Sequence, residues 1–394
     1  VGMRRFLKAD ENRMLFPRIR ENGKLVEVSL SEAIGKAANI LKEANWPLIY
    51  GLSNTTIEAI RKCIKLAEML GGVIDQTATV CHGPTVQAFQ EVGEVSATLG
   101  EVKNRSDLVI FWGSNPMEAH FNHPFRYSIT PMGLFTPEGR RERTVVTVDV
   151  RKTKTADLSD IFIQVEPGKD SELIGAMRAL LKGRRLKVDE VAGVPIDMLK
   201  ELVGKMKKCR YGVIFVGVGL TMGGGKELNV ANILKLSQEL HDFTRLVVIP
   251  MRGHGNVKGA GMCLGWITGY PYAVDFSRGY PRYSPGEFSA VDLLSRGEVD
   301  AALIVASDPA SNFPSKAAKH LASIPTITID PKPSLTALIS DVIIPSAIVG
   351  VECEGTMYRM DGVPLRLKKL KDPPNESILS DEEVLQLIID KVSG

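Results

Sequence analysis

The chain has 394 residues, 44% of them hydrophobic, with Lys+Arg 49 against Asp+Glu 46 and a net charge of +3. A length of this order calls for two or three domains, each with its own core, and so balanced a charge gives no reason to expect nucleic acid as a partner. Five scattered cysteines, Cys63, Cys81, Cys209, Cys263 and Cys353, with no CxxC pair, argue against a disulfide framework and for a reducing cytoplasm; the opening Val1-Gly2-Met3-Arg4-Arg5-Phe6 is no signal peptide, and no run is long enough to span a bilayer.

In chain order, Lys24–Val28 alternates as a short strand, and Ser29 or Ser31 then caps an amphipathic helix carrying Ile34, Ala37, Ala38, Ile40 and Leu41. From Trp46 onward the pattern becomes short apolar strands ended by small polar residues and followed by helices. It begins at Pro47-Leu48-Ile49-Tyr50-Gly51-Leu52-Ser53-Asn54 and recurs at Leu108–Pro116, Val145–Asp149, Val213–Gly217, Leu246–Pro250 and Ala302–Pro309. Repeated βα units predict an α/β fold of parallel sheets flanked by helices, whose ligands bind outside the carboxyl ends of the strands. Ser53, Asn54, Gly113, Ser114 and Asn115 fall at such ends.

Between the first two of these units lies Thr77-Ala78-Thr79-Val80-Cys81-His82-Gly83-Pro84-Thr85, a thiol and an imidazole side by side before a Gly-Pro turn. The pair suits a soft metal ligand with a proton carrier beside it, although a lone cysteine is more commonly a small buried hydrophobe.

An internal repeat is the more specific signal. Residues 148–163 align without gaps on 329–344, matching Asp149 with Asp330, Thr155-Ala156 with Thr336-Ala337, and Ser159-Asp160 with Ser340-Asp341; Ser114-Asn115-Pro116 likewise matches Ser307-Asp308-Pro309. Two related lobes follow, each ending a strand in an acidic residue able to accept from a ribose hydroxyl or a base amino group, with Arg151 and Thr153 within phosphate reach in the first. Either aspartate could instead begin a turn. Gly217-Val218-Gly219, after another strand, offers backbone N–H groups to a phosphate or is a flexible loop. In Met251-Arg252-Gly253-His254-Gly255-Asn256, the guanidinium of Arg252 suits a carboxylate, and the glycines around it let backbone approach something bulky; the alternative is a surface ion pair. We expect four segments: 1–45, an N-terminal remnant with its opening helix; 46–145, a first α/β domain bearing the Cys-His pair; 146–330, a second, Rossmann-like domain; and 331–394, a return to the first.

Cys81-His82-Gly83-Pro84, Trp112-Gly113-Ser114-Asn115-Pro116, Pro250-Met251-Arg252-Gly253-His254, Gly269-Tyr270-Pro271-Tyr272 and Gly350-Val351-Glu352-Cys353-Glu354-Gly355-Thr356 together make the chain resemble the molybdopterin oxidoreductases of the formate dehydrogenase and DMSO reductase type. More narrowly it is similar, along essentially its whole length, to the B subunits of tungsten or molybdenum formylmethanofuran dehydrogenases. The resemblance implies two molybdopterin guanine dinucleotides holding one tungsten or molybdenum. Cys81 would be its protein ligand, His82 the proton carrier and Arg252 the group that orients formate or carbon dioxide. Ser53, Asn54, Gly113, Ser114, Asn115, Asp149, Arg151, Thr153, Gly217, Gly219, Gly253, Asn256, Ser307, Asp308 and Asp330 would line the dinucleotides. It further implies reversible two-electron reduction of carbon dioxide to formate, which another subunit condenses with methanofuran.

The family also carries an N-terminal cysteine cluster for a four-iron four-sulfur centre. No cysteine precedes Cys63, and we read the start at Val1-Gly2 as a truncation just downstream of that cluster. The chain stops at Gly394 without the β-barrel domain of single-chain relatives, so the resemblance implies an obligate complex with a β-barrel subunit, an amidohydrolase-like subunit and iron-sulfur electron-transfer subunits. Two rivals remain: a non-redox scaffold in the B-chain position of a formyltransferase/hydrolase complex, and a plain nucleotide-binding module. His120, His123 and His254 could support the site from behind its ligands, but each reads more readily as an exposed or capping histidine; Cys209, Cys263 and Cys353 read as packing.

Overall fold

The computed structural model describes residues 12–394; the first six residues, on which the truncation is read, lie outside the described residues. The strands in chain order are β1 (Arg18–Glu21), β2 (Lys24–Glu27), β3 (Pro47–Gly51), β4 (Val73–Gln76), β5 (Leu108–Trp112), β6 (Thr144–Asp149), β7 (Ile161–Gln164), the short β8 (Glu190–Val191) and β9 (Val194–Pro195), then β10 (Gly212–Val216) and β11 (Leu246–Pro250). After them come β12 (Val274–Asp275), β13 (Arg282–Tyr283), β14 (Ala301–Val305), β15 (Thr326–Ile329), β16 (Val342–Ile344) and the hairpin β17 (Gly355–Tyr358) with β18 (Pro364–Leu367).

Two compact units result, one made of residues up to Val80 together with His254–Gly394, the other of Cys81–Gly253. The sheet of the first runs β13-β12-β4-β3-β14-β15-β16-β1-β2, and that of the second β11-β10-β5-β6-β7. This differs from the expected division at 145 and 330. Residues 46–145 supply β3 and β4 to one sheet and β5 with the start of β6 to the other, because β3 finds its parallel partner in β14, some 250 residues downstream. One unit is therefore inserted inside the other, an arrangement that strand order in sequence does not reveal.

Strands β3, β5, β10 and β14, and the edge strand β11, are buried at every position, as expected of parallel strands with both faces covered by helices. Ser29 rather than Ser31 caps the helix Leu30–Glu43, accepting from the Glu32 amide; Thr56 does the same for Ile57–Leu70, and a full capping box of Ser380 and Glu383 opens Asp381–Ser393. Apolar faces of these helices pack on the first sheet in one core, while Asp170–Leu181, Ile196–Lys208 and Lys226–Leu240 help to build a separate core on the second.

Each sheet holds the same five parallel strands in the same order, β4-β3-β14-β15-β16 and β11-β10-β5-β6-β7. Trp112 faces Val148 as Val305 faces Ile329, so the repeat read in the sequence preserves strand register. Its hydrogen bonds match one for one. The Thr147 and Ser159 hydroxyls meet at 2.7 Å, as do those of Thr328 and Ser340. Asp160 accepts from the Val145 amide and Asp341 from the Thr326 amide. Thr155 donates its hydroxyl to Asn115 at 2.7 Å and receives the Met117 amide; Thr336 donates to Asp308 at 2.6 Å and receives the Ala310 amide.

Candidate functional site

In an open parallel sheet a crevice forms where successive connections leave toward opposite sides. In the second unit that point lies between β5 and β10, since β5 leads on to β6 at one side while β10 lies at the other. Gly113 follows β5 at φ +54°, and Gly217 follows β10. A Cβ on Gly217 would lie 2.1 Å from the Gly113 carbonyl oxygen, and one on Gly113 would lie 2.7 Å from the Leu220 amide nitrogen. These glycines let two chain segments touch, with the Gly219 amide donating to the Gly113 carbonyl at 3.0 Å. The segment expected as a glycine loop is a short helix, Val218–Thr221, followed by a bend at Gly223–Gly225 into the helix Lys226–Leu240. Close packing is thus a sufficient reason for Gly217 and Gly219.

Beside this crevice stand Cys81, His82 and Arg252. A 3-10 turn, Thr77–Val80, delivers Cys81, and His82 takes the N-cap position of the helix Gly83–Val92, where Pro84 is preset for the first turn. Thr221 donates its hydroxyl to the Cys81 carbonyl at 2.8 Å, tying Cys81 to the Val218–Thr221 helix. The Cys81 thiol is half-buried; burial pushes its pKa up, while the positive charge of Arg252 pulls it back.

His82 is fully buried, and both ring nitrogens are engaged. Nε2 lies 3.0 Å from the Met251 carbonyl, so it must be the donor, and Nδ1 lies 3.1 Å from the Thr85 hydroxyl. Burial, with the Arg252 charge second, drives its pKa down to about 3, so this imidazole is neutral over the working range. As placed here it holds the end of β11, and it would have to release the Met251 carbonyl to carry a proton from Nε2.

Arg252, two residues past the end of β11, is 6% exposed. Burial lowers its pKa, with Glu94 and Cys81 acting the other way. Among the described residues its guanidinium makes no ion pair, and its buried Nε has no hydrogen-bond partner. A buried cation with no carboxylate in direct contact is costly, by several kcal/mol in order of magnitude, and its persistence points to an anionic ligand. His120 completes the group: it takes the C-cap of the short helix Pro116–Ala119 and lies with Nε2 2.7 Å from the Arg252 carbonyl. His123, expected to be exposed or capping, is instead buried edge-on against Phe215 at 4.6 Å between ring centroids.

The remaining candidates divide between the two units. In the second, Ser114 is buried, Asn115 is fastened to Thr155, and Asp149 ends β6, raised in pKa by burial and opposed by the Arg151 and Val150 amides. Thr153 is buried against the Ala156 amide, while Arg151 and Gly253 are exposed. In the first unit the crevice lies between β3 and β14. Ser53 is buried and accepts the Thr77 hydroxyl at 2.5 Å, and Asn54 is exposed, bonded to His254 and the Ala306 carbonyl. Asn256 is buried between the Thr55 carbonyl and the Tyr358 amide. Ser307 and Asp308 follow β14, and Asp330 follows β15, pushed up to about 7 chiefly by burial.

Among the described residues no group of three or more His, Cys, Asp or Glu side chains is placed to hold a metal ion. A soft metal taken up by Cys81 would need donors besides the protein's own, which fits a sulfur-bearing cofactor.

The sequence matches the molybdopterin oxidoreductase family over residues 13–380. The chain belongs to that family. Among molybdopterin oxidoreductases it is similar to the B subunit of tungsten-containing formylmethanofuran dehydrogenase 2 from Methanocaldococcus jannaschii, 52% identical over 95% of this chain and 87% of that one. The corresponding subunit of Methanococcus maripaludis is 46% identical over the same shares. In structure it is similar to a chain of the formyltransferase/hydrolase complex of Methylorubrum extorquens (TM-score 0.77, 22% identity, 96% of this chain and 98% of that). Acetylene hydratase of Pelobacter acetylenicus shares the fold as well (TM-score 0.70, 14% identity, 98% of this chain and 62% of that). The chain is thus of the formylmethanofuran dehydrogenase B-subunit type, with the mixed α/β architecture expected. No helix among the described residues is long and apolar enough to cross a membrane.

Proposed function

We propose that this chain is the catalytic B subunit of a formylmethanofuran dehydrogenase, reversibly reducing carbon dioxide to formate, which another subunit condenses with methanofuran. The observation that carries the reading is Arg252, a buried guanidinium that no carboxylate among the described residues pairs with directly, whose charge is felt at the half-buried Cys81 thiol. The cofactor would be tungsten or molybdenum with two molybdopterin guanine dinucleotides, which when bound supplies the two-electron chemistry.

Each part of the chain then has a task. Cys81 offers a thiolate, the soft donor such a metal takes, giving up its proton on binding. Arg252 pairs with the carboxylate and stabilises charge developing on its oxygens. His82, fixed as the Nε2–H tautomer, holds the Met251 carbonyl and so the base of the Arg252 loop. One dinucleotide sits at each crevice, where Asp149 in one unit and Asp330 in the other accept from ribose or base N–H and O–H groups. Partner subunits of the kinds named above would relay electrons and cover the cofactor.

Metal and pterin analysis of the purified complex tests this directly. About one tungsten or molybdenum per chain is expected, with Cys81→Ala abolishing formate-dependent turnover while the fold persists. A complex lacking both metal and pterin would favour the scaffold reading. Full activity in Cys81→Ala would remove that residue from the mechanism.

A further inference from the structure

Two consecutive carbonyls at the end of β11 are each held by a histidine from a different element. His82, at the N-cap of Gly83–Val92, takes Met251, and His120, at the C-cap of Pro116–Ala119, takes Arg252. A carbonyl can only accept, so both imidazoles carry hydrogen on Nε2. The two differ at the other nitrogen: Nδ1 of His82 meets Thr85, whereas Nδ1 of His120 is buried without a hydrogen-bond partner. The hydrogen bond that His120 makes is therefore given to the main chain of Arg252.

The side chain of Arg252 explains why that matters. Its Nε is buried and unpartnered, and among the described residues no carboxylate or carbonyl holds the guanidinium. Arginines that bind anions are commonly aimed by protein groups bonded to the guanidinium itself; here the aim has to come from the backbone. The residue after Arg252 is an exposed glycine whose Cβ position has nothing within 4 Å, so packing on that side does not restrain the main chain. Among the described residues, the carbonyl of Arg252 is the point at which a side chain from another element holds it by a hydrogen bond.

We propose that His120 is a positioning residue for the reaction: its Nε2–H bond to the Arg252 carbonyl fixes the main chain so that the guanidinium meets the two oxygens of a one-carbon carboxylate. The proposal rests on the reading of Arg252 as the carboxylate-binding group. Misplacing such a group weakens binding of the carboxylate without touching the metal or its ligand.

Three variants in the intact complex separate the possibilities. Glutamine can place its amide N–H where imidazole Nε2 lies; asparagine is too short to reach. His120→Ala and His120→Asn should raise the KM for formate about tenfold with a much smaller fall in kcat, and His120→Gln should recover to within about threefold of wild type, with metal content unchanged in all. A fall in kcat and metal content at constant KM, or no recovery in His120→Gln, would overturn the proposal. A second readout needs no turnover: formate should slow alkylation of Cys81 by iodoacetamide in the full-length chain without cofactor, followed by mass spectrometry of the Cys81 peptide. The formate concentration giving half protection should rise about tenfold in His120→Ala and return in His120→Gln. No protection in wild type would refute the role of Arg252 itself; equal protection in wild type and His120→Ala would refute only the positioning role. Should His120→Ala fail to fold, the contrast between glutamine and asparagine still decides.

Discussion

At the end of β5 Gly113 stands at φ +54°, and at the end of β14 Ala306 stands at φ +50°, two matching places in strands paired in the same register. Around them the chemistry diverges. In the second unit the Gly113 carbonyl takes a backbone amide, from Gly219; in the first, the Ala306 carbonyl takes a side-chain amide, from Asn54 at 3.3 Å. The preceding contact is kept, since Gly217 donates to the Trp112 carbonyl as Leu52 donates to that of Val305. One crevice is thus closed by bare main chain and the other by side chains, on a common scaffold. What the scaffold requires is the left-handed turn and the Thr155/Thr336 clasp; the residues that supply the closing donor are free to differ.

The largest effect should come from exploiting that asymmetry. Gly113→Ala pushes a Cβ onto the backbone at Leu220 in a left-handed conformation and should cost roughly 3 kcal/mol, whereas Ala306→Gly should change stability by less than about 1 kcal/mol. Urea titration with hydrogen exchange on β5 and β14 would measure both, and equal costs would mean that the backbone at Leu220 does not set the two turns apart. Thr155→Val and Thr336→Val each strand an amide and an acceptor, and should each cost about 2 kcal/mol by the same method. A marked inequality would show that the charge of Asp308, where the other copy has Asn115, adds to the clasp.

A third difference concerns pH. Burial raises both Asp149 and Asp330, and Asp330 further feels Asp381 and Asp308, reaching about 7. A carboxyl raised from its ordinary 3.8 binds more protons folded than unfolded, so its contribution is complete below about pH 4 and is lost as pH rises through about 7. Asp330→Asn should therefore flatten the decline in stability between those limits and stabilise the first unit by roughly 1 to 2 kcal/mol at pH 8, read from urea midpoints across pH. The smallest effect is expected of Asn54→Ala, an exposed donor to the Ala306 carbonyl, at about 1 kcal/mol or less in the same titration.

The fold was largely legible. Short apolar runs such as Leu108–Trp112, closed by Gly, Ser and Asn, mark buried parallel strands, and the coincidence of Asp, Thr-Ala and Ser-Asp in two places reported a clasp that each copy forms in full. The division into units was not, because nothing in β3 announces that its neighbour will be β14 rather than β5. At the candidate site, Cys81, His82 and Arg252 carried signals in residue type and glycine context. His120 and Thr221 did not: each acts by bonding a backbone carbonyl, and a carbonyl belongs to every residue alike. Gly217 and Gly219 signalled something real, but close backbone contact and a phosphate cradle leave the same mark in a sequence.

The insertion also bears on how the protein is made. A ribosome delivers β3 and β4 early, then all of Cys81–Gly253, and only afterwards β14, which β3 needs as its sheet neighbour. The inserted unit holds its own five strands and its own core, so it can condense on the nascent chain while the unit enclosing it still waits for its central strand. The exposed edge of β3 is a hazard for the length of that delay, and late translation, rather than final stability, is where this architecture is most vulnerable.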